Sequence, residues 1–301
     1  MTAQTGFSYE EAFSRNLGWV TPAEQQILRG KRVAIAGLGG VGGIHLLTLV
    51  RLGIGIAHIA DYDVFELANF NRQTGATMSS LGRPKIEVLA RMARDINPEV
   101  ELRLFGSGVS AANLDEFLDG VDVYVDGLDF FAFAARERTY AACHRAGIPA
   151  IVAAPLGMGV AWLNFMPGGM SFEEYFRLDG VSTMEKCVRF LVGLSPAMLQ
   201  RGYVVDSSYV DFAASRSPST GMACQLCAGV AAAAALKILL GRGHVDAAPV
   251  GLHFDAYRGS FKRTWRPWGN RNPVQKIAIA IARRQLAAMG QRRAPPEPTS
   301  L

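Results

Sequence analysis

The chemistry of this chain is concentrated in a glycine turn and in charged residues that follow it at set distances. Val33-Ala-Ile-Ala-Gly37-Leu-Gly39-Gly40-Val41-Gly42 carries an apolar run through a Gly-x-Gly-x-x-Gly turn into a helix start. Such a turn lets the backbone approach phosphate oxygens with no Cβ in the way and aims helix N-terminal amides at negative charge. NAD, FAD and ATP can all use that geometry, so the glycines alone leave the nucleotide open. Asp61, 24 positions after Gly37, supplies the acid that a ribose hydroxyl needs. Asp63, Asn69, Arg72, Gln73 and Lys85 follow, and Asp129 closes the same edge. Cations beside a glycine loop, with a carboxylate opposite, suit a triphosphate and its Mg²⁺ better than a nicotinamide. An NAD- or FAD-dependent oxidoreductase, the alternative reading, leaves Arg72, Lys85 and Asp129 without a task.

These residues need a scaffold that brings loops together, and the patterning predicts one. Arg32 to Ala36, Ile56 to Ala60, Glu101 to Phe105, Val121 to Val125 and Pro149 to Ala153 read as strands. Val41 to Leu52, Pro84 to Ile96, Leu114 to Leu118 and Phe131 to Ala146 read as the helices between them. That alternation predicts an α/β, Rossmann-like, doubly wound and mainly parallel sheet, with its ligand crevice at the carboxyl ends of the strands. Asp61, Asp126 and Asp129 fall at those ends.

Five stretches follow. Residues 1–30 form a helical lead-in, 31–167 the nucleotide-binding core, and 168–222 a Gly- and Ser-containing segment inserted over the crevice. Residues 223–290 continue the same domain, with a helix over Ala228 to Leu240, a strand or hairpin over Gly251 to Trp265, and an amphipathic basic helix over Val274 to Met289. The proline-containing stretch 291–301 reads as a disordered tail.

With 301 residues, half of them apolar, the chain can bury a large core. Thirty-one Lys and Arg against 26 Asp and Glu give a net charge of +5, which favours anionic ligands such as ATP or RNA. Met1 to Phe7 lacks the pattern of a signal peptide, and the apolar stretch Ala228 to Leu240 is short of the ~20 residues of a membrane span. A cytoplasmic protein with reduced thiols and no membrane partner is the expectation.

Taken together, Gly37-x-Gly-Gly-Val-Gly42, Asp61-x-Asp63, Asn69-x-x-Arg72-Gln73, Gly82-Arg-Pro-Lys85, Ile96-Asn-Pro98 and Asp126-x-x-Asp129 resemble the ThiF/MoeB/HesA family of adenylating enzymes, whose fold is shared with ubiquitin-activating enzymes. The resemblance covers roughly Phe13 to Val160. It implies that Asp61 binds the ribose of ATP, that Asn69, Arg72 and Lys85 hold the triphosphate, and that Asp129 positions Mg²⁺. The rest of the implied nucleotide site is Gly37, Gly39, Gly40, Val41, Gly42, Asp63, Gln73 and Leu128. Arg15, in Phe13-Ser-Arg15-Asn16, would act across a homodimer. The implied reaction is attack of a substrate carboxylate on the α-phosphate, giving an acyl-adenylate and pyrophosphate. The acceptor would be a peptide or ubiquitin-like C-terminus, another small carboxylate, or a carboxyl-bearing nucleotide in tRNA. The residue types fit independently: a carboxylate with a pKa of ~4 is already ionised and needs cations, not a general base, to approach a polyphosphate. A non-catalytic partner subunit would be expected to lose Arg15, Lys85 or Asp129, and all three are present.

The chain departs from the family at its cysteines. Relatives carry two Cys-x-x-Cys pairs for zinc, whereas Cys224-x-x-Cys227 is one pair, so structural zinc is not expected. Cys187 lies where some relatives place an acyl-accepting thiol, and reads either as that or as a packed helix cysteine. Phe130 takes a position where an asparagine commonly follows the aspartate. Trp265, Trp268 and the neighbouring arginines read as a hairpin edge or as a contact for RNA or peptide.

Overall fold

The computed structural model describes residues 6–212 and 214–291. It opens with α1 (Tyr9–Ala12) and α2 (Pro22–Arg29). Thr21 starts α2 reciprocally: its hydroxyl accepts the Glu24 N–H and the Glu24 carboxylate accepts the Thr21 N–H, with Pro22 in the first turn. There follow β1 (Arg32–Ala36), α3 (Gly42–Arg51), β2 (Ile56–Ala60), α4 (Lys85–Ile96), β3 (Glu101–Phe105), α5 (Leu114–Leu118), β4 (Val123–Asp126), α6 (Phe133–Ala146) and β5 (Ala150–Leu156). The chain then turns back on itself through β6 (Gly159–Phe165), α7 (Phe172–Phe176), α8 (Thr183–Leu194), α9 (Gly221–Leu240), β7 (Val250–Asp255), β8 (Ser260–Trp265) and α10 (Pro273–Gln291).

The eight strands make one sheet in the order β3-β2-β1-β4-β5-β6-β7-β8. The first five are parallel and the last three antiparallel, so the expected mainly parallel α/β sheet is the observed one. Alternation along each strand sorts the core into two faces. Val33, Ile35, Val123, Val125 and Ile151 point into an aliphatic layer closed by α3, α4 and α9. Ala34, Ala36, Tyr124, Val152 and Phe165 point the other way, into an aromatic layer closed by α5, α6, α7 and α8. α10 packs outside α8 through Val188, Val192 and Ile279.

The structure adds to the sequence reading at three places. β6 is a strand where no element is predicted: it is buried on both faces, between the aliphatic and aromatic layers, so its residues show no alternation. α9 begins at Gly221, seven residues before Ala228. At 20 residues it is long and apolar enough to cross a membrane, contrary to the expectation drawn from its shorter form, yet it packs along β5, β6 and α3 as a core helix. Finally, α7 and α8 of the segment expected over the crevice are built into the aromatic layer, and only the stretch after α8 runs along the carboxyl edge. The expected tail lies, beyond Gln291, outside the described residues.

Candidate active site

The glycine turn leaves β1 at its carboxyl end and enters α3. Gly37 has φ +82°, in the left-handed region, and a Cβ there would overlap the Gly127 carbonyl. A Cβ on Gly42 would likewise overlap the Gly37 carbonyl, so those two glycines are demanded by packing of β1, α3 and the end of β4. Gly39 is different. A Cβ there would meet only Gln73 Nε2, at 3.8 Å, and its bareness serves open space rather than a close neighbour. Gln73 itself is buried, and its Oε1 has no hydrogen-bond partner among the described residues. The end of Gln73 that faces the bare glycine is its Nε2, a donor, and a donor beside open space at a glycine turn fits a phosphate-bearing ligand.

Around the turn, Asp61 accepts the Leu38 N–H at 2.6 Å and the Asp63 N–H at 2.7 Å. Burial raises its carboxyl above the usual range, against the opposing pull of those amides and of Lys85. Asp63 in turn takes the Lys85 ammonium at 3.0 Å, and the Lys85 side chain is otherwise enclosed at the start of α4. Asn69 is buried, its Oδ1 accepting the Glu66 N–H. Arg72 is half-buried and donates to the Ala68 carbonyl and Asn71 Oδ1, making no ion pair among the described residues. A Cβ on Gly40 would meet Cys224 Sγ at 3.2 Å and the Arg72 side chain at 3.6 Å.

Opposite, Asp129 is exposed and accepts the Phe131 N–H, while Leu128 is half-buried. Their loop is held from beneath by Arg136, which sequence reasoning missed. Its guanidinium pairs with Asp126 at 2.7 Å and donates to the carbonyls of Leu128, Asp129 and Phe130. The readable signal was its place on one face of α6 with Phe133, Tyr140 and Cys143, a cation where the spacing asks for an apolar residue.

The structure therefore brings together the glycine turn, Val41, Asp61, Asp63, Asn69, Arg72, Gln73, Lys85, Leu128 and Asp129 at one sheet edge. It does not bring Arg15. That side chain is exposed, and neighbouring Asn16 donates to the Leu52 carbonyl at the far end of α3, ~15 Å along the helix from the turn. Cys187 is also elsewhere, fully buried in the aromatic layer, where burial pushes its thiol up to about 11. Its surroundings are those of a packed helix cysteine, in a layer away from the glycine turn. Cys224 and Cys227 are free and buried, both raised by burial.

Residues 13–275 match the ThiF family, and the chain belongs to it. The match runs well past the Val160 limit of the resembling motifs. The tRNA threonylcarbamoyladenosine dehydratase of Bacillus subtilis is 32% identical over 122 residues, covering 40% of this chain and 48% of the relative. The sulfur carrier protein ThiS adenylyltransferase of Escherichia coli is 33% identical over 135 residues, covering 45% and 53%. The chain thus spans about half the length of the curated relatives it matches. E. coli MccB, solved with MccA-N7isoASN, shares the fold, with a TM-score of 0.65 at 19% identity over 91% of this chain and 77% of that one.

Proposed function

We propose that this chain is an ATP-dependent adenylyltransferase that activates a substrate carboxylate as an acyl-adenylate with release of pyrophosphate. The observation that carries the reading is that Arg72, which has no carboxylate partner among the described residues, Lys85 and exposed Asp129 lie at the same sheet edge as the glycine turn. Asp61 would orient the ribose, the turn amides and Asn69 the phosphates, and Gln73 the cradle floor. Arg72 and Lys85 relieve the repulsion between an incoming carboxylate and the polyphosphate, which is the main barrier to this reaction. Mg²⁺ would be held by Asp129 and supplies further charge neutralisation at the phosphates.

The acceptor would be a peptide or small-protein C-terminus, another small carboxylate, or a carboxyl-bearing tRNA nucleotide, handled in the cytoplasm. The place of Arg15 supports a homodimer in which it completes the neighbouring subunit's site. Mixing Arg15→Ala and Asp129→Ala variants should then recover activity that neither has alone, because mixed dimers hold one intact site; no recovery would count against action in trans. The primary test is Mg²⁺-dependent ATP–pyrophosphate exchange against peptides, small carboxylates and tRNA. Exchange with at least one acceptor is expected; tight NADH binding without ATP binding or exchange would overturn the reading.

A further inference from the structure

We propose that the subsite for the acyl group is an aromatic wall, and that the substrate bears its carboxylate on an aromatic or aliphatic end rather than on a bare glycine-like or acidic one. The inference rests on the adenylation reading above. Directly after Asp129 come Phe130 and Phe131, both half-buried, with ring centroids 5.0 Å apart. Beneath, Phe130 reaches the buried rings of Phe133, at 6.1 Å, and Phe190, at 5.3 Å. Above, it stacks on half-buried Phe212 at 5.6 Å and 26°, and Phe131 lies 5.9 Å from the same ring. A continuous seam of rings thus climbs from the core to the mouth of the site.

Phe212 belongs to a strap that crosses the mouth. Backbone hydrogen bonds between Asp211 and Arg216 close it into a hairpin, and its far end is fastened to the opposite wall. There Asn71 Nδ2 donates to the Ser219 carbonyl at 2.9 Å, and Thr220 Oγ1 donates to the Gly157 carbonyl at 3.0 Å. One end of the strap is therefore beside Asp129 and the other beside Arg72, the two groups between which the reacting carboxylate must sit. Whatever carries that carboxylate leaves the reaction centre past Phe130, Phe131 and Phe212. Covering ring faces with an apolar side chain is worth about ten- to a hundredfold in affinity. A second carboxylate would instead be desolvated against rings and next to Asp129, at a penalty.

The test needs no knowledge of the natural acceptor. Three acylsulfamoyl adenosines, bearing acetyl, 3-phenylpropanoyl and succinyl groups, are titrated calorimetrically into the intact protein beside ATP. The phenylpropanoyl compound should bind at least tenfold more tightly than the other two, and Phe212→Ala should draw all three together. ATP binding with equal affinities for the three, or with the succinyl compound tightest, overturns the aromatic subsite alone. Failure of ATP and of every analogue to bind removes the adenylation reading and the subsite with it.

Discussion

At the end of β2 the inner acid, Asp61, is buried and hydrogen-bonded by the amides of Leu38 and Asp63, while the outer acid, Asp63, holds the Lys85 ammonium. At the end of β4 the arrangement is reversed: the inner acid, Asp126, holds a guanidinium, and the outer acid, Asp129, faces solvent. Exposure separates the two ion pairs further. The Asp126 and Arg136 side chains are 1% and 3% exposed, whereas Asp63 is 53% exposed. A pair open to water on one side exchanges partners at little cost, and a sealed pair does not. One strand end therefore offers a cation that an incoming phosphate can take over. The other offers a rigid frame whose free charge is negative, suited to a divalent cation.

Breaking the sealed pair should have the largest effect. Arg136→Gln leaves Asp126 buried without its cation and frees three carbonyls of the Asp129 loop, which should cost about 3–5 kcal/mol in urea unfolding. Adding Asp126→Asn should recover part of that loss, because the neutral pair no longer strands a charge. A cost under about 1 kcal/mol for Arg136→Gln would show that the frame is held by something else. Asp129→Ala comes next and should separate activity from stability. Exchange should fall about 10²–10³-fold while unfolding stays within about 0.5 kcal/mol of the parent, since the side chain is exposed.

The two ends also differed in how far they could be read in advance. The limits of β1, β2 and β3 are those expected, because each is an apolar or alternating run punctuated by Gly, Asp or Asn. The place of Asp61 at the carboxyl edge follows from the direction of β2. Arg136 could not be placed on Asp126 by spacing, since that contact joins α6 to β4 through the fold rather than along one element. Phe212 is further still: it stacks on Phe130 from a strap fastened at Asn71, through a contact 148 residues apart in the chain, and at Gly157. β6 escaped because burial on both faces erases the alternation by which a strand is recognised.

The exposed pair should respond more gently. Asp63→Asn releases Lys85 and removes a negative charge near the proposed phosphate cradle, so ATP should bind several-fold more tightly by calorimetry, with stability changed by about 1 kcal/mol or less. Unchanged or weaker ATP binding would mean that Lys85 is fixed where it is and does not pass to the nucleotide.

The smallest effect belongs to Asp61 and concerns pH. Its folded carboxyl lies above the ordinary value of 3.8 because burial disfavours the charged form. Between 3.8 and that raised value the folded state binds more protons than the unfolded chain, so this residue makes stability fall as pH rises through the window, and the loss is constant above it. Carboxylates such as Glu185 and Asp246, held low by Arg283 and Arg263, contribute the opposite slope, so the total curve does not isolate Asp61. The difference between parent and Asp61→Asn does. Urea midpoints measured from pH 4 to 7 should show the parent losing stability relative to the variant as pH rises, by about 1.4 kcal/mol for each unit of displacement. A flat difference would mean that the Leu38 and Asp63 amides fully offset burial. The two strand ends would then differ in their cations alone.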